Sequence, residues 1–66
     1  MSKITFCQRL RQLLAADMNA RDVYGDLCKM AKDGEIKSML EMIAKDEDRH
    51  VELEKKMLSL LEKSLA

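Results

Sequence analysis

Glu47 and His50 stand three residues apart in the stretch Asp46-Glu47-Asp48-Arg49-His50. In a helix this spacing puts a carboxylate and an imidazole on one face. The surrounding pattern makes that face apolar, because Ile36, Leu40, Ile43, Glu47, His50, Glu54, Met57 and Leu61 follow one another at alternating steps of four and three, the seam of a helix packed on other helices. Three ionisable side chains thus occupy positions where Leu or Ile belongs. A lone charge is costly to bury, so such groups are paired, neutralised or bound to a metal. A second seam lies upstream, at Cys7, Leu10, Leu14, Asp17, Arg21, Tyr24, Cys28 and Ala31, with Phe6, Leu13, Ala20 and Leu27 beside it. Asp17 interrupts it near the middle. Arg21 can carry its charge outward along its aliphatic stem, whereas Asp is too short to leave a packed interface.

The elements that must position these groups are two long helices. A capping-box pattern, Thr5 followed by Gln8, places the start of the first near Thr5, with Ser2 as the alternative cap. Asp33-Gly34 is the turn signal, with Gly34 suited to the left-handed position that ends a helix and Glu35 to the start of the next. The expected elements are helix 1 over about 5–32, a turn at 33–34 and helix 2 over about 35–64, one helical-hairpin domain. A short connection makes the helices antiparallel neighbours. Gly25 within helix 1 costs about 1 kcal/mol relative to Ala, and close approach of a neighbouring backbone is the expected reason for it. Asp17 lies 16 residues before Asp33 and His50 lies 16 after Gly34, so both fall about 25 Å from the turn, with Glu47 one turn nearer. Asp17, Glu47 and His50 therefore converge from facing helices, a ligand set suited to iron(II), manganese(II) or zinc(II). Glu54, one turn beyond His50, is an additional ligand, a carboxylate that orients His50, or a partner for Arg21 or a lysine. The readings without metal are an Asp17–Arg21 ion pair and a hydrogen-bonded His50.

Composition narrows the classes. With 66 residues the chain makes one domain, too small to bury much of its surface alone. Charged residues make up 36% and there is no Pro, as in long amphipathic helices. Lys and Arg number 12 against 12 acidic residues, which leaves no basic patch for nucleic acid. No apolar run is long enough to span a membrane and nothing resembles a signal peptide, so the expected location is the cytoplasm. Cys7 and Cys28, roughly 30 Å apart on one helix, cannot bridge within the chain and are read as reduced, packed thiols. The six Met residues read as core filler rather than ligands. Each helix carries two to three apolar columns, more than one neighbour covers. The hairpin is thus expected to form a homodimer, a four-helix bundle about a twofold axis, or a higher homo-oligomer.

Doubling the site gives one carboxylate from each of two helices and a Glu-x-x-His from each of the other two, the pattern of dimetal carboxylate bundles. The stretch Asp17-x-x-Ala20-x-x-x-Tyr24, followed by Glu47-x-x-His50 and its flank Ile43-Ala44-Lys45-Asp46, resembles one half of a rubrerythrin or ferritin domain. There a first-helix Glu is followed seven residues on by Tyr. The resemblance covers roughly Leu10 to Leu61 and is nearest to the half-ferritins, such as encapsulated ferritins, which complete a dimetal centre between subunits. It implies a ferritin-like bundle with two irons per dimer, held by Glu47 and His50 with Asp17 in place of the family's Glu. Tyr24 would stand beside the metals, and the activity would be oxidation of iron(II) by oxygen or peroxide. Asp17 is a methylene shorter than the family ligand, and Glu54 stands where the family has an apolar residue. The contrasting expectation is a non-catalytic, self-associating hairpin that binds zinc or no metal.

Overall fold

The structure, a computed structural model of the single chain, describes residues 3–65, with side chains described over 5–64. It is an all-α antiparallel hairpin of α1 (Lys3–Met30) and α2 (Gly34–Leu65), 49 Å long and 15 Å in each other direction. Thr5 falls inside the first turn of α1 rather than at its cap, and Ser2 lies outside the described residues. The turn differs in a more informative way. Gly34 does not take a left-handed conformation; it opens α2. Asp33 is the residue that punctuates the chain, because its Oδ1 accepts hydrogen bonds from the backbone N–H of Glu35 at 2.9 Å and of Ile36 at 3.0 Å. It thereby satisfies donors that a helix start leaves without partners. Gly25 also departs from expectation, since a Cβ built there would meet nothing within 4 Å.

The α1 seam is as the spacing predicts: Cys7 and Leu10 are buried, and Leu14, Asp17, Arg21, Tyr24, Cys28 and Ala31 are half-buried. On α2 the residues turned to α1 are Leu40, Ala44, Glu47, Val51, Glu54, Leu58 and Leu61, still at steps of four and three. Four of the predicted eight are kept. Ile36, Ile43, His50 and Met57 instead form a flanking column that is exposed. The physical reason is that α2 has three adjacent apolar columns and a single neighbour covers two. Ala44, Val51 and Leu58 take the inner place.

Ion pairs identify the two sides of the hairpin. Arg11 reaches Glu62 at 3.1 Å and Arg21 reaches Asp48 at 3.6 Å, so one face is stitched by charge across the helices. In an antiparallel pair, the flanks that exchange such bridges share one face and the remaining two flanks share the other. That other face carries Phe6, Leu13, Ala20 and Leu27 from α1 beside Ile36, Ile43, His50 and Met57 from α2. Phe6, Leu13 and Ile36 are each about half exposed. The buried apolar residues are Cys7, Leu10, Val51 and Leu58 among those described, a thin core. The total surface is 5160 Å², against about 4300 Å² for a compact monomer of this mass.

Candidate metal centre

Asp17, Glu47 and His50 come together as their heights predict. Each offers one ligand atom, and the three atoms lie within 4.8 Å of one another, the only such cluster of three or more His, Cys, Asp or Glu side chains among the described residues. Ligands around one ion at bond lengths near 2.1 Å stand roughly 3 to 4 Å apart, so small side-chain adjustments would close the set on a cation. Asp17 and Glu47 are half-buried. His50 is more open than its predicted seam position implies, with 46% of its side chain exposed, and its Nδ1 stands 3.7 Å from Glu47 Oε1.

Two carboxylate oxygens in this region are buried without a hydrogen-bond partner, Glu47 Oε2 and Glu54 Oε1. Buried acceptors normally have partners. An orphaned oxygen on Glu47, within a cluster of one nitrogen and two carboxylate donors, fits a divalent cation of the iron, manganese or zinc type. Arg21 does not neutralise Asp17, contrary to the ion-pair reading; its Nε faces Asp22 at 3.7 Å and Asp48 at 3.6 Å on the charged face.

Glu54 lies outside the three-residue cluster but against it. It is the one charged residue that the hairpin buries fully among those described, 6% exposed. Burial pushes its carboxyl up to about 7, helped by a hydrogen bond to Asp17 and the negative charges of Asp17 and Glu47, with His50 opposing. Glu54 therefore partners Asp17 rather than Arg21. The signal was in the heights, because Asp17 falls between Glu47 and Glu54 when both helices are counted from the turn. Tyr24 is half-buried in the α1 seam, seven residues and about 10 Å of helix rise from Asp17. Cys7 and Cys28 are free thiols, and no described helix is long and apolar enough to cross a membrane.

Compared with family models, with curated proteins and with solved structures, the chain matches none. The half-ferritin resemblance therefore stands on the quoted residues, and the case for a metal stands on the geometry of the cluster.

Proposed function

We propose that the protein is a ferritin-like metal-binding hairpin that pairs with a second copy through its apolar face. Asp17, Glu47 and His50 of each copy would hold one iron, two per dimer, and iron(II) would be oxidised there. The observation that carries this reading is the convergence of the three ligand atoms within 4.8 Å beside an orphaned carboxylate oxygen of Glu47. Phe6, Leu13, Leu27, Ile36, Ile43 and Met57 are all exposed on one face, an apolar surface that a second copy would cover.

Asp17 and Glu47 would bind through carboxylate oxygens, and His50, open on the apolar face, would supply the nitrogen. Glu54 would either add a fourth ligand or hold Asp17 in place. When bound, iron(II) would supply one electron per ion, two per dimer, to dioxygen or peroxide, and the apolar flanks of two copies would keep bulk water from the site. Manganese or zinc would fit the same donors.

The test is aerobic addition of iron(II) to the purified protein, following absorbance and bound metal. Stoichiometric binding with oxidation faster than in buffer supports the reading; neither binding nor acceleration removes it. A second reading, a self-associating hairpin that takes zinc or no metal and performs no chemistry, is favoured by one observation. His50 already faces Glu47 at 3.7 Å, so a protonated imidazole can neutralise that carboxylate unaided. Under this reading a chelator leaves the melting temperature and the oligomer unchanged.

A further inference from the structure

We infer that a divalent cation at the Asp17, Glu47 and His50 cluster controls whether two hairpins associate, so that the metal acts as an assembly signal as well as an occupant of the site. This rests on the metal-binding reading and adds a regulatory consequence to it.

The apolar face is interrupted at one level. Leu13 and Ile43 lie on the turn-distal and turn-proximal sides of that level, and Met57 and Leu27 continue the columns outward, all of them exposed. Between them come His50 and, in the seam behind it, Asp17, Glu47 and Glu54. The level is the middle of the molecule: the centre of α1 falls between Ala16 and Asp17, and that of α2 between Arg49 and His50. Two copies packed face to face about a twofold axis along the hairpin place their clusters at the same height. Two copies related by a twofold axis across the hairpin do so as well, provided that the columns overlap over their whole length. Either arrangement that covers the apolar columns brings the two clusters together.

Without a cation that meeting is unfavourable. Each copy contributes three carboxylates, two of them with buried oxygens that have no hydrogen-bond partner. The one imidazole at hand stands 3.7 Å from Glu47, and Arg21 is turned to Asp22 and Asp48 on the opposite face. Covering the face would confine six carboxyl groups in a space from which water is excluded, with only the hydrogen bond between Asp17 and Glu54 in each copy to offset their charge. Like charges there repel far more strongly than in water, and a charge without a partner is costly to bury. A divalent cation on each cluster cancels most of that charge and leaves the apolar columns free to pack. By linkage, association must then raise metal affinity by the same factor by which metal raises association.

Sedimentation equilibrium of the full chain at a series of concentrations, in chelator and in manganese(II), zinc(II) or anaerobic iron(II), tests this alongside equilibrium dialysis for bound metal. The expected result is a dissociation constant for the dimer about a hundredfold lower with metal than with chelator, within the usual range of coupling between sites. Equal association in chelator and metal overturns the gating but leaves the shared centre standing. Metal bound to a chain that stays monomeric overturns both. No bound metal of any of the three overturns the metal-binding reading and the gating with it. The paired substitution Glu47→Gln with Glu54→Gln checks the cause, since it removes the charge at nearly constant shape. In chelator it should associate roughly tenfold more tightly than the unaltered chain. Association no tighter than that of the unaltered chain would show that carboxylate repulsion is not the gate.

Discussion

Replacing Glu54 by Gln should stabilise the metal-free hairpin at pH 8 and leave it nearly unchanged at pH 4 to 5. The carboxyl of Glu54 titrates at 4.5 when unperturbed and at about 7 in the folded chain. Between those values the folded state holds more protons than the unfolded state, so stability falls as pH rises through that window and the loss is complete above about 7. A difference of one pH unit between the two titration points corresponds to about 1.36 kcal/mol, which makes the loss about 3 kcal/mol as an upper figure for a group that interacts with Asp17 and Glu47. The Gln side chain of the variant would be neutral at every pH and could donate from its amide to Asp17 much as protonated Glu54 does. The assay is urea unfolding in chelator, at one protein concentration, of both chains at pH 5 and pH 8. Comparing the two chains at each pH cancels groups common to both. A difference of about 1 to 3 kcal/mol in favour of the variant at pH 8, shrinking towards zero at pH 5, is expected. Equal destabilisation of the variant at both pH values would refute the reasoning, because it would mean that the Glu54 carboxylate is well accommodated when ionised.

The remaining predictions concern single positions. Gly25→Ala should raise stability by about 1 kcal/mol in urea unfolding, since the position is helical and open. Asp33→Ala should cost about 1 kcal/mol through loss of the α2 cap, and Asp33→Asn should restore most of it. Arg11→Ala, at an ion pair more than half exposed on both sides, should change the unfolding free energy by less than about 1 kcal/mol. His50→Ala should weaken metal binding in equilibrium dialysis by tenfold or more, while circular dichroism in chelator shows unchanged helix content, because the imidazole is 46% exposed and packs little.

The two helices, their antiparallel pairing and the level at which Asp17 meets Glu47 and His50 were legible in the sequence because they depend on spacing, and spacing converts directly into height along a helix. The rotation of α2 was not. Ala44, Val51 and Leu58 form an apolar column as regular as Ile36, Ile43 and Met57, and periodicity alone cannot say which one faces α1 in a chain with columns to spare. The ion pairs Arg11–Glu62 and Arg21–Asp48 mark the outcome, and they form only once both helices are in place. In the sequence Asp33 has the form of a turn residue, although Asp is also among the strongest helix caps. In a connection this short the two roles compete for one residue. Glu54 was legible as a charge in the wrong place. Its partner Asp17 required the register of the finished hairpin.

The thin core has a consequence for the order in which the hairpin forms. Only a few residues separate α1 from α2 at the turn, so pairing there closes the smallest loop and pairing further out follows it. Opening by fraying should then begin at the end far from the turn, where Cys7 lies 2% exposed, and reach the neighbourhood of Cys28 last. The two thiols stand on one helix at opposite ends of that progression. A thiol reagent would therefore read the closure of the molecule from both ends, with the Cys7 rate reporting the opening of the free end and the difference between the two rates reporting how far the chain unzips in one event.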